Sequence, residues 1–173
     1  MKLKPLDLFV CLKIAIGRSD SWTYLQLAES LGLSASETNA AVKRSLSAGL
    51  LVPALDSKGK PGPKTQALLE FIEHGVRYAF FESPGATRRG MPTAHSAPPL
   101  SDRIQSDASQ PFVWADPEGE VRGQEFRPLY KSAPAAARRD PALYEVLALV
   151  DAIRGGRTRE RQLGFELLAE RLV

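Results

Sequence analysis

Cysteine, histidine and long apolar runs are all scarce in this chain of 173 residues. A single cysteine, Cys11, excludes an internal disulfide, and a small buried apolar packing role is expected for it. With no disulfide framework, a cytoplasmic compartment is expected. Two histidines, His74 and His95, and the lone cysteine give no metal-ligand spacing, and no Gly-rich phosphate loop follows a strand. Catalysis is therefore not expected, nor is a metal or cofactor. No apolar run approaches the ~20 residues that cross a bilayer, so no membrane association is expected. The opening Met1-Lys2-Leu3-Lys4-Pro5-Leu6-Asp7 has no small-residue cleavage site, and it places a Pro and an acid before the apolar run. Both features argue against a signal peptide.

Charge is nearly balanced but unevenly placed. Residues 1–91 hold 12 Lys/Arg against 8 Asp/Glu, and residues 92–173 hold 11 against 12. The positive excess sits on the N-terminal half, the sign that phosphate contact requires.

That half contains the stretch that organises the chain, Thr23 to Leu51. Thr23 is followed three residues later by Gln26, and Ser34 by Glu37. Each is a capping box, in which the hydroxyl accepts from a free N–H of the first turn and the Glu or Gln reaches back to the cap residue. Gly32 ends the first helix in a left-handed turn and Gly49 ends the second. Leu25, Leu27, Ala28 and Leu31 form one apolar stripe, and Leu33, Val42 and Leu46 close on it. Two helices around a short Gly turn make a helix-turn-helix. Ser36, Asn39, Ala40, Lys43 and Ser47 lie on the opposite face, small or polar with one cation, as a helix entering the major groove requires. The plainer alternative is an ordinary helix pair in a small core.

Leu27-Ala28-Glu29-Ser30-Leu31-Gly32-Leu33-Ser34-Ala35-Ser36, with Val42-Lys43-Arg44 and Ala48-Gly49-Leu50-Leu51, resembles the winged helix-turn-helix regulators of the broad MarR-like type. The resemblance covers roughly residues 5–60 and implies a winged helix that binds double-stranded DNA as a dimer. Two positions depart from the pattern: Thr38 stands where such regulators usually have an apolar residue, and Ala40 where they often have Arg.

Around this stretch the reading is mainly α with a few short strands. Pro5–Ile16 reads as a first helix with Lys13 facing solvent. Leu50–Ala54 reads as a short edge strand. Residues 56–64, with Lys58, Lys60 and Lys64, lie where a wing would be; no return strand is legible, and a solvated loop is the alternative. Thr65–His74 reads as a helix and Val76–Phe81 as a strand. Residues 83–110 read as a long irregular linker. In it Thr87-Arg88-Arg89-Gly90-Met91-Pro92 suggests an extended minor-groove arm, and His95 is expected in solvent. Pro111–Trp114 and Glu120–Arg122 read as a β-hairpin whose acidic tip, Asp116, Glu118 and Glu120, is solvated. Gln124–Ser132 docks the linker through Phe126, Leu129 and Tyr130. Asp140 caps a helix that begins at Pro141 and stops at Gly155-Gly156, and Thr158 caps the next; together they form a C-terminal helical hairpin. The domains expected are a winged helix-turn-helix over 1–82, the linker over 83–110, and an interaction or dimerisation region over 111–173.

The function expected is a sequence-specific DNA-binding transcriptional regulator, a homodimeric repressor. Ser36, Asn39 and Lys43 face base edges with Ala40 beside them. Glu37 either serves its cap or accepts from a cytosine amino group. Arg44, Lys58, Lys60 and Lys64 hold phosphates, with Arg88 and Arg89 on the arm. The alternatives are the antitoxin of a toxin–antitoxin pair, its C-terminal half holding the toxin, and a winged-helix adaptor that binds protein rather than DNA.

Overall fold

The computed structural model describes residues 1–17, 21–55, 59–105 and 110–173. Within them, the chain is mainly helical with five short strands. The order is α1 (Pro5–Ile16), α2 (Tyr24–Leu31), α3 (Ala35–Ser47), β1 (Leu51–Val52), β2 (Gly62–Pro63), α4 (Thr65–His74), α5 (Val76–Ala79), β3 (Thr87–Thr93), β4 (Phe112–Ala115), β5 (Val121–Glu125), α6 (Ala133–Arg139), α7 (Pro141–Gly155) and α8 (Thr158–Leu172). No helix among the described residues is long and apolar enough to cross a membrane.

The molecule is assembled on α7. Asp140 caps it by accepting from Leu143 N–H at 3.1 Å, and Pro141 fills the first turn, where no N–H is needed. Every residue from Val146 to Arg154 is buried, so the helix is covered on all sides. It packs against α1, α5, α6, α8 and β3. Each fully buried Leu, Val or Ile contributes roughly 1.5–3 kcal/mol relative to an exposed one. One hydrophobic cluster runs from Leu6 on α1 to Leu172 on α8. The change in composition at 83–110 therefore does not mark a break in packing. Cys11 is buried in this core, and desolvation pushes its thiol pKa up to about 12, which makes it inert at neutral pH.

Several expectations are corrected. Residues 76–79 form a helix and not a strand. Gly75 stays in the right-handed helical region, and its carbonyl accepts from both Tyr78 and Ala79 N–H. The turn sends Val76 and Phe80, four apart, into the core and leaves Tyr78 and Phe81 outside. The supposed linker contains β3, whose Thr87–Gly90 end pairs antiparallel with β5 and whose Gly90–Thr93 end pairs antiparallel with β4. β4 and β5 are not a hairpin: where they meet they run parallel, closing a three-stranded barrel. Gly90 makes this closure possible, because a Cβ there would lie 2.0 Å from the Trp114 carbonyl oxygen. After β3 the chain buries Ala94, His95, Ala97 and Leu100 through two short 3-10 turns. His95 is thus a core residue, edge-on to Phe112 at 4.8 Å. The acidic turn takes Arg138, which pairs with Asp116 and Glu118. Lys13 pairs with the α7 cap Asp140 at 2.6 Å. α8 is capped by Arg157, whose N–H donates to Glu160 at 2.8 Å, and not by Thr158. Leu25, placed in the α2 stripe, is 63% exposed.

The barrel is tied to α7 by a buried polar cluster. Asp151 accepts from the Thr93 hydroxyl at 2.8 Å, from Trp114 Nε1 at 2.7 Å and from Arg154 at 2.8 Å. Arg154 also donates to the carbonyls of Phe80 and Arg127 and lies over the Phe126 ring. Burial raises the Asp151 carboxyl pKa, while Arg154 and the two neutral donors oppose that rise.

Candidate nucleic-acid interface

The α2–α3 unit forms as its caps specify. Gln26 N–H donates to Thr23 Oγ1 at 3.1 Å and Thr23 N–H to Gln26 Oε1 at 3.0 Å. Ser34 and Glu37 repeat the exchange at 3.1 and 2.8 Å. Gly32 adopts φ +65° between the helices, where a side chain would be strained. Thr38 occupies its apolar position by donating its hydroxyl to the Ser34 carbonyl at 2.9 Å, which leaves only its methyl to pack. After α3 the chain forms β1 and returns as β2, with Leu51 opposite Pro63 and Val52 opposite Gly62. The return strand is two residues long and Gly-Pro in sequence, which is why strand propensity does not reveal it.

Ser36, Asn39 and Lys43 are exposed and share one side of α3 at spacings of three and four, with Ala40 half-buried beside them. None of the three polar side chains is bonded to another described residue of the chain.

Two expected contact residues are engaged elsewhere. Arg44 makes a forked ion pair with Asp7: Nε lies 2.8 Å from Oδ2 and the terminal nitrogen 2.7 Å from Oδ1. Asp7 is fully buried, and its bonds hold the guanidinium pKa above the ordinary value. Arg44 therefore joins α3 to α1 and is not free for phosphate. Glu37 accepts from Ser34 N–H and from the Tyr130 hydroxyl, so it is not free for a cytosine. Tyr130 belongs to a strap that runs along the α2–α3 unit. Ser132 donates to the Leu31 carbonyl at 2.6 Å, and Arg139 to the Ser30 carbonyl at 3.3 Å. A groove of about 480 Å³ lies between this strap, the α1 N-terminus and the Ser36–Ala40 edge of α3.

Lys60 is exposed, with its ammonium 5.3 Å from the Tyr24 ring centre, next to α2. Lys64 is exposed at the start of α4. Lys58 lies outside the described residues. Arg88 and Arg89 sit on β3 and not on an arm. Arg88 faces Glu125 at 3.6 Å, and Arg89 stands opposite Arg122 in the ladder. The strand ladder holds this backbone, so it is not free to enter a minor groove. Sequence reasoning did not find the Tyr130 strap; the available signal was an aromatic in a segment already expected to dock.

The strap makes the joint acid-sensitive. The Tyr130 hydroxyl first, then the Ser34 N–H and hydroxyl, lower the Glu37 carboxyl pKa from 4.5 to about 2. A depressed carboxyl pKa stabilises the fold above its unfolded value, and that contribution is lost as pH falls through the folded value. The joint is therefore expected to loosen as pH drops from about 4.5 towards 2. NMR of the Tyr130 ring resonances across this range checks it, with Glu37→Gln abolishing the titration. A Tyr130 midpoint near the ordinary carboxyl value, or one unaffected by Glu37→Gln, would contradict the assignment.

Compared with known protein families, with curated proteins and with solved structures, the chain matches no family model, no curated protein and no solved structure.

Proposed function

We propose that this protein is a sequence-specific DNA-binding transcriptional regulator, a homodimeric repressor. In this reading α1 to β2 act as a winged helix-turn-helix of the broad MarR-like type. The observation that carries the reading is the Ser36–Asn39–Lys43 band, exposed and bonded to no other described residue, on a helix whose other sides are anchored by Asp7, Ser34 and the core. Asn39 has the amide geometry for adenine and Lys43 the donors for guanine, while Ala40 leaves room for a thymine methyl. Lys60 and Lys64 flank the helix as phosphate contacts, and the β1–β2 ribbon serves as the wing. Arg44 and Glu37 hold the reading helix in place without touching DNA.

The engagement of Arg44 and Glu37 also favours a second reading. It thins the face available to DNA and suits an adaptor or antitoxin whose winged helix meets a protein. Selection of bound sites from a random duplex library separates the two. The regulator reading expects an enriched motif with paired half-sites about one helical turn apart. No enrichment over the input library would overturn it.

A further inference from the structure

The side of the molecule formed by α4, α5 and α8 carries features unused by the α3 face. Between α4 and α5 on one side and α8 on the other runs a groove of about 610 Å³, lined mostly by polar side chains such as Glu73, His74 and Gln162, with the half-buried Phe165 among them. Tyr78 stands on its wall, 73% exposed, and Phe81, three residues further on, is 70% exposed. Both are large apolar side chains left in water in a chain that buries most of its others. Arg77 on α5 and Glu166 on α8 stand on opposite walls. Neither makes an ion pair with another described residue; the Arg77 guanidinium only lies over the Tyr78 ring, 5.2 Å from its centre.

We propose that two copies of the chain associate through this groove, with the exposed aromatics of each seated in the groove of the other. The patch is self-complementary. A two-fold interface uses the same patch twice, so the patch must carry both halves of every contact. This one carries projecting aromatics beside a hollow, and a cation opposite an anion, neither ion-paired to another described residue. Across the axis, Arg77 of each copy meets Glu166 of the other. The size also fits: two aromatics from each copy, at roughly 150–250 Å² apiece, supply a large share of the ~1,600 Å² of a stable interface. α7, the other large apolar helix of the C-terminal half, has no such surface, because its own chain already covers it. This inference supplies the dimer surface of the regulator reading and rests on that reading for its purpose. Its test reads mass without DNA, so its failure leaves DNA binding untouched.

The test is light scattering coupled to gel filtration, with sedimentation equilibrium for the dissociation constant. The wild-type chain is expected at twice the monomer mass at high micromolar concentration. Tyr78→Ser with Phe81→Ser is expected to raise the dimer dissociation constant about a hundredfold or more, as loss of central aromatic anchors does. Arg77→Glu and Glu166→Arg are each expected to weaken the dimer, and the two together to restore it. Tyr78, Phe81 and Glu166 are exposed and Arg77 is half-buried, so thermal melting of the Tyr78, Phe81 and Glu166 variants is expected to match wild-type monomer, and melting of each Arg77 variant is measured beside its dimer constant. A wild-type monomer at all concentrations overturns the proposal, even if a different protein binds the groove. So does a dimer indifferent to the aromatics, or a charge swap that fails to restore it.

Discussion

Replacing Asp151 with alanine is expected to cost about 3–5 kcal/mol of folding stability, the usual consequence of leaving a buried charge without its partner. The Arg154 side chain is only 4% exposed and would keep its charge with no carboxylate beside it. The Thr93 hydroxyl and Trp114 Nε1 would lose their acceptor at the same time. Against a typical total of about 5–15 kcal/mol, such a loss brings the chain close to unfolding at room temperature. Asp151→Asn keeps the shape but not the charge, and its amide must turn an N–H towards at least one of three donors, so it is expected to be nearly as damaging. Asp151→Ala combined with Arg154→Met removes both charges and is expected to recover much of the loss. Urea unfolding followed by tryptophan fluorescence and circular dichroism measures all three variants. A single alanine variant within about 1 kcal/mol of wild type would show that the cluster does not join barrel to helix as described.

Arg44→Ala comes second in size and separates two roles for one residue. If Arg44 held phosphate, its removal would weaken DNA binding and leave the fold unchanged. The forked pair with Asp7 predicts the reverse order: about 3 kcal/mol of stability lost, because a fully buried carboxylate would keep only the Lys4 N–H as a bonded neighbour. Arg44→Lys is expected to recover only part of this, since one ammonium cannot bond both oxygens along the guanidinium fork. Equilibrium unfolding of the two variants decides the matter. Wild-type stability for Arg44→Ala would return the residue to the list of phosphate contacts.

These two sites also show what was legible in the sequence. The helices α1 to α4, α7 and α8 follow from caps and from apolar spacings of three and four, which are local signals. The same periodicity placed Ser36, Asn39 and Lys43 on the outer side of α3, where they stand exposed. What was missed is non-local. The partners of Arg44 and Glu37 lie 37 and 93 positions away in the chain. No spacing rule connects such residues, so a cation on a helix surface reads as free when it is paired. The barrel was hidden for the same reason. Thr87–Thr93 contains Arg, Gly and Pro and has no alternating pattern, and it becomes a strand only because β4 and β5 supply its hydrogen-bond partners. The long irregular-looking stretch therefore holds the strand that pairs antiparallel with both β4 and β5. α6 was missed although its Ala run and early Pro134 favour a helix, because seven residues are too few to show an apolar stripe.

The measurement that bears most directly on the regulator reading is a titration of the DNA upstream of the protein's own coding sequence. It compares wild type with Asn39→Ala plus Lys43→Ala at two salt concentrations, against excess non-specific competitor. The account predicts tight wild-type binding that survives competitor and weakens with salt. In the double variant it predicts a loss of about 1–3 kcal/mol per base contact, with unchanged thermal stability because both side chains are exposed. Binding that competitor removes and that the two substitutions leave unaltered would contradict it, and would turn attention to a protein partner for the α3 face.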